Sequence, residues 1–131
     1  AKAHFFDSTT FHRVMKGYMI QGGDPNSKDD DLSNDGYGQP GQETVPAEFS
    51  PTHHDRGILS TARQPADVNS ATSQFFVMVG DHHSFDKQYT VWGEVVEGMD
   101  VVDHIVELPC QNGSNPGKVL ACGKALVSSA V

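Results

Sequence analysis

Phe11-His12-Arg13-Val14-Met15-Lys16-Gly17-Tyr18-Met19-Ile20-Gln21-Gly22-Gly23-Asp24 places one cation, one amide and several large apolar groups at alternating spacing across a glycine turn. Side chains alternate across a strand. Counted that way, Phe11, Arg13 and Met15 share one face, with His12 and Val14 on the other. After the turn, Met19 and Gln21 share a face opposite Ile20. A third run, Ser73-Gln74-Phe75-Phe76-Val77-Met78, puts Gln74, Phe76 and Met78 opposite Phe75 and Val77. One set of faces is purely apolar and reads as core. The other mixes Arg13, Gln21 and Gln74 with Met19 and Phe76. An ordinary wet face would carry Lys, Glu and Thr. A guanidinium and amides set among Phe and Met suit a pocket for an amide and an apolar ring.

Working outward, strand-like runs cover residues 10–14, 18–21, 58–62, 74–79 and 91–96, with a weaker one at 118–127. They are short, rich in Val, Ile, Phe and Thr, and bounded by turn residues. Met99, Val102, Ile105 and Val106 repeat at helical spacing between Gly98 and Pro109, which predicts one short amphipathic helix. Residues 25–49 carry Asp29-Asp30-Asp31 and several glycines with almost no apolar periodicity, so they read as a long surface loop, of a length that is often functional.

The 131 residues suggest one domain, and thirteen glycines with seven prolines favour a turn-rich fold over a helical bundle. The net charge of −8, with no run of Lys or Arg, makes nucleic acid and anionic membrane poor partners. No apolar stretch approaches the roughly 20 residues of a membrane-spanning helix. Cys110 and Cys122 fit no zinc pattern and are read as two free thiols or one disulfide, which leaves the compartment open.

The chain resembles the cyclophilins. The resemblance runs from about residue 6 to 106 and rests on five pieces in order. Phe11 to Asp24 looks like the family's arginine motif. Gly57-Ile58-Leu59-Ser60-Thr61-Ala62 resembles the strand before the substrate groove, and Ser73-Gln74-Phe75-Phe76 the motif lining the proline pocket. Phe85-Asp86-Lys87-Gln88-Tyr89-Thr90-Val91-Trp92-Gly93 resembles the next loop and strand, and Glu97-Gly98-Met99-Asp100-Val101-Val102 the start of the C-terminal helix. The long acidic loop and Tyr89 look like a bacterial-type member.

The resemblance implies a mainly β fold: one antiparallel cyclophilin-like β-barrel domain with a short helix in its C-terminal half. The family has two strands and a helix before the point matching Ala1, so the barrel is expected to be incomplete, with open edges and exposed core. The implied activity is peptidyl-prolyl cis–trans isomerisation on proline-containing peptides and folding proteins, by a monomer, with no cofactor and no metal. The rival reading is a proline-binding module with little or no turnover. By position, Arg13 is the implied catalytic residue and Gln21 braces it. Tyr18, Met19, Phe76 and Phe85 form the ring pocket, Gln74 meets the peptide backbone, and Ala62 and Arg63 line the groove. Tyr89 stands where many members carry histidine. Ser84 stands where animal members often have tryptophan, Arg63 where many have asparagine, and Lys87 where glycine is usual.

Three other patterns are set aside. Gly36-Tyr37-Gly38-Gln39-Pro40-Gly41 spells G-x-G-x-x-G but contains proline and lacks the flanking strand and helix. Asp24-Pro25-Asn26 opens like a calcium loop, yet its sixth position is Asp29 and its twelfth is Asp35. His53-His54 and His82-His83 are adjacent pairs whose rings point apart in extended chain, so neither pair is a metal clamp, and both read as surface histidines. Asn112-Gly113-Ser114 reads as a glycosylation sequon or a turn.

Overall fold

The computed structural model describes residues 3–108. The weak strand expected at 118–127, both cysteines and Asn112 lie outside them. Five strands form one antiparallel sheet in the order β1-β2-β4-β3-β5: β1 (Arg13–Met15), β2 (Met19–Gly22), β3 (Ile58–Thr61), β4 (Phe75–Met78) and β5 (Val91–Glu94). One helix, α1 (Met99–Glu107), follows. Among the described residues β1 and β5 are free edges and the sheet does not close on itself.

The strands form at short runs rich in Val, Ile, Phe and Met. Gly17, at φ +80, turns the chain between β1 and β2, and the pairing sets Arg13 opposite Gln21 and Met15 opposite Met19. The β2–β4 register then sets Gln21 opposite Phe76 and Met19 opposite Met78. Residues directly opposite in antiparallel strands project on the same face. The pairing therefore collects Arg13, Gln21, Phe76, Met19 and Met78 on one side.

On the other side Val14, Ile20 and Val77 pack against Ile105 of α1, supported by Met99, Val102 and Val106. These are the helix positions that the periodicity picks out. Gly98, at φ +98, supplies the left-handed residue from which α1 starts. Arg56, just before β3, grips Asp103 of α1 through two hydrogen bonds of 2.7 Å, which holds the Asp103 carboxyl below its ordinary range.

Phe11 departs from the expected alternation. The first strand begins at Arg13, so counting faces from residue 10 fails. The Phe11 ring lies against Gly22 and meets Phe75 edge-on at 6.2 Å, on the helix side. The open sheet also leaves an apolar cleft of about 350 Å³ bordered by Phe6, Val45, Pro46, Phe75 and Trp92. Trp92 is 57% exposed there.

Among the described glycines, Gly23 is the most tightly approached. It adopts φ +86, and a Cβ on it would sit 2.5 Å from the Ser73 carbonyl oxygen. The Ser73 hydroxyl donates back to the Gly23 carbonyl at 2.7 Å, fastening the end of β2 to the approach to β4. Gly23→Ala is expected to destabilise the chain by at least about 2 kcal/mol, combining left-handed strain with a backbone clash. Urea unfolding measures it, and an unchanged midpoint contradicts the tight packing at this glycine.

Candidate active site

The mixed face of the sheet opens into a hollow of about 170 Å³ lined by Arg13, Met15, Met19, Gln21, Ala62, Arg63, Phe76, Phe85 and Tyr89. Arg13 and Met15 come from β1, Met19 and Gln21 from β2, and Phe76 from β4. Phe85 ends a 3-10 turn at His83–Phe85, and Tyr89 follows in the same loop. The aromatic floor is locked by edge contacts: Phe76 meets Tyr89 at 5.2 Å and Phe85 at 6.0 Å, both nearly perpendicular.

The polar side is a relay of amides. Arg13 Nη1 points at Gln21 Oε1 at 3.5 Å, Gln21 Nε2 donates to Gln74 Oε1 at 3.0 Å, and Gln74 Nε2 donates to the Gly36 carbonyl at 3.0 Å. A second hollow of about 220 Å³ adjoins the first; Gln21, Ala62 and Arg63 line both, whereas Gln74 belongs to the second alone.

Tyr18 is the sequence-implied pocket residue that the structure sets elsewhere. It is absent from the hollow's lining, is 42% exposed, and stacks on His82 at 4.0 Å. It occupies the β1–β2 turn just before β2, where strand pairing does not aim its ring inward. Met15, by contrast, lines the hollow, as its shared strand face with Arg13 allows. Arg63 does not project freely into the groove. Its Nε donates to the Gln88 carbonyl at 3.0 Å, Nη1 donates to Gln64, and the guanidinium sits 5.0 Å from the Tyr89 ring centre. Lys87 takes φ +58, so the turn keeps the left-handed backbone that glycine would adopt without strain.

His54 is the exception to the reading of the histidine pairs as surface groups; His53 and His83 are exposed. His54 is fully buried. Its Nδ1 donates to Asp86 Oδ1 at 3.1 Å, which leaves Nε2 to accept from the Ser60 hydroxyl at 2.8 Å. The ring backs Phe76 at 6.1 Å and Phe85 at 6.0 Å. The hydrogen bond from His53, with those from the His54 amide and ring, holds the Asp86 carboxyl far below its ordinary range.

Asp24, the first residue of the calcium-like motif, is also fully buried. Its Oδ1 accepts from the Asn26 amide at 3.0 Å, and its Oδ2 from the Gly36 and Gly38 amides at 2.6 and 3.1 Å. Both oxygens are engaged by N–H groups, so this carboxylate ties a loop and does not face a cation. The glycines of the dinucleotide-like string supply two of those three amides, with φ +90 at Gly36 and +70 at Gly38.

A family profile described as "Cyclophilin type peptidyl-prolyl cis-trans isomerase/CLD" matches residues 1–124. The chain is 37% identical over 120 residues to "Peptidyl-prolyl cis-trans isomerase-like 3" of Dictyostelium discoideum, an alignment covering 87% of this chain and 68% of that protein. It is 40% identical over 122 residues to a "Probable peptidyl-prolyl cis-trans isomerase" of Brucella abortus, covering 88% and 62%. Its fold matches a crystal structure of a Cryptosporidium parvum cyclophilin in the presence of the dipeptide Ala-Pro, with a TM-score of 0.77 and 24% identity, over 98% of this chain and 76% of that one. The chain belongs to the cyclophilin-type peptidyl-prolyl cis–trans isomerase family. It spans between 62% and 68% of the length of these two curated relatives.

His12 lies behind the amide relay, against Gly36. Neither ring nitrogen makes a well-aligned hydrogen bond, and the Gln74 side chain and Thr10 backbone beside the ring only weakly oppose the effect of burial. Burial holds the His12 imidazole below the ordinary value of 6.5, and the Asp24 charge opposes that shift. A histidine with a lowered folded-state pKa binds its proton more tightly when unfolded. The neutral ring's stability contribution is thus full above 6.5 and lost as pH falls below it. Urea midpoints measured near pH 7 and near pH 5 should fall less on acidification in His12→Gln than in the parent. Parallel pH dependences would remove His12 from the acid sensitivity.

Proposed function

We propose that this chain catalyses rotation about Xaa-Pro peptide bonds in peptides and folding proteins. The observation that carries the reading is Arg13 at the rim of a ring-sized hollow floored by Met19, Phe76 and Phe85. Family membership supports it, as does a structural neighbour crystallised in the presence of Ala-Pro.

Amide rotation is opposed by a barrier of about 18–20 kcal/mol from C–N resonance. At Xaa-Pro the two planar forms lie close in energy, so lowering that barrier is useful. No nucleophile is required; the protein has to bind the twisted amide better than either planar form. In the twisted amide the proline nitrogen regains a lone pair. Arg13 donates to that nitrogen or to the neighbouring carbonyl, weakening the resonance. A guanidinium stays charged at any working pH, so the step needs no titrating base. The ring is held between Met19, Phe76 and Phe85, with Tyr89 closing the far side. Gln21 orients Arg13, Gln74 contacts the peptide backbone, and Ala62 and Arg63 flank the residue before proline. Tyr18 contributes at most at the rim.

Arg13→Ala is expected to cost about 2.7–4 kcal/mol of transition-state stabilisation, a fall of roughly 10²–10³ in kcat/KM. Cis–trans exchange of an Ala-Pro peptide, followed by NMR, checks it. A loss below about threefold in a folded variant rules Arg13 out of the rotation step. Binding retained with no exchange in the parent chain would instead mark a proline-binding module. Phe76→Ala should raise KM as well as lower kcat, with near-UV circular dichroism of Trp92 reporting whether the fold survives.

A further inference from the structure

Neither adjacent histidine pair makes a clamp by itself, but the fold brings one ring from each pair together. His53, before β3, and His83, after β4, stack with ring centres 4.5 Å apart. Asp86 closes the group, and the three residues each offer a ligand atom, all within 4.8 Å of one another.

We propose that His53, His83 and Asp86 form a binding site for a divalent ion of the zinc class. The donor set is two imidazoles and one carboxylate. Such a set suits zinc, nickel or copper, whereas magnesium and calcium prefer oxygen throughout. Zinc sites of this type use three protein ligands and leave the fourth position to water.

The surroundings are organised as a metal site's outer shell is. Asp86 Oδ1 is held by the His54 amide at 2.7 Å and by the buried His54 ring at 3.1 Å, which fixes the carboxylate plane and turns Oδ2 toward His53. His53 Nδ1 and Asp86 Oδ2 lie 2.5 Å apart, a nitrogen and an oxygen that meet through one proton which a metal ion would displace. His83 Nε2 donates to Asp55 Oδ1 at 2.8 Å, the carboxylate partner that orients a ligating histidine. His53 and His83 are both more than half exposed, so an ion reaches them from solvent and their side chains can close on it.

The inference stands independently of the isomerase reading, although the two sites touch. Phe85 lies between His83 and Asp86 in the chain, so an ion bound there fixes the turn that carries one wall of the proline pocket.

Titration calorimetry of the full chain with zinc chloride tests the proposal, with magnesium chloride as a second titrant. The parent is expected to bind zinc saturably and to ignore magnesium. His53→Gln/His83→Gln is expected to lose one zinc equivalent per chain, and His104→Gln, on the exposed side of α1, to lose none. Counting equivalents separates this site from any zinc held by the cysteines. Both replaced side chains are exposed, so the double variant should keep the Trp92 near-UV signal of the parent. Zinc stoichiometry and affinity unchanged in the folded double variant would overturn the site, as would no saturable binding to the parent.

Discussion

The buried carboxylate of Asp24 sets the position of the polar half of the groove. A charge without water has to be met by donors, and here three backbone amides meet it. Two of them belong to Gly36 and Gly38, twelve and fourteen residues further along, so the carboxylate pins a long loop at its middle. The loop then presents the Gly36 carbonyl to Gln74, Gln74 accepts from Gln21, and Gln21 stands in front of Arg13. Each side chain in that series takes its orientation from the one behind it. The guanidinium is aimed through a chain of fixed dipoles that ends in a loop.

A second carboxylate does the matching work on the apolar half. Asp86 accepts from His54 and His53, and the His54 ring is wedged behind Phe76, Phe85 and Tyr89. Ser60 of β3 closes the network through Nε2 of the same ring. The rings that form the hollow are therefore backed by a polar cluster as well as by the apolar cluster of Ile58, Met78 and Val91. A buried imidazole with both nitrogens engaged gives a fixed orientation where aliphatic packing would permit small slides. The same cluster carries the two exposed histidines outward, which places the proposed ion site directly behind the pocket wall.

Strand faces were the most legible part of the sequence. Faces alternate strictly within residues 13–15, 19–22 and 75–78, and cross-strand pairing delivers Arg13, Gln21, Met19 and Phe76 to one side as the pattern implies. The helix was equally readable, because Met99, Val102, Ile105 and Val106 fit one stripe. Alternation failed where regular strand failed, at Phe11, which precedes β1; Tyr18, placed in the pocket by the resemblance and not by alternation, sits in the turn before β2. His54 was misread as a surface group for a related reason. Neighbours in extended chain do diverge, but the partners that matter come from segments about thirty residues apart, and no local period encodes that meeting. Asp24 was set aside as a calcium ligand, but its structural role was not legible, because an acidic, glycine-rich string looks alike whether its carboxylate faces solvent, a cation or a ring of amides. Only the backbone, with Gly36 and Gly38 turned to positive φ, separates these cases.

The open sheet bears unequally on the two faces. On the helix side the core is held by α1 and by the Arg56–Asp103 grip, while Trp92 and Val45 remain exposed beside an apolar cleft. On the pocket side nearly every support arises within residues 23–89: the Asp24 loop, the Ser73–Gly23 clasp, the Asp86–His54 cluster and the Arg63–Tyr89 stack. Strand closure is a long-range constraint, whereas these are clasps between loops and their nearest strands. Loss of order at the edges of β1 and β5 would reach the groove chiefly through Arg13, the one groove residue on an edge strand whose side chain has to be aimed. That makes the Gln21 contact, at the loose end of the relay, the point where the groove is most sensitive to the state of the sheet edge.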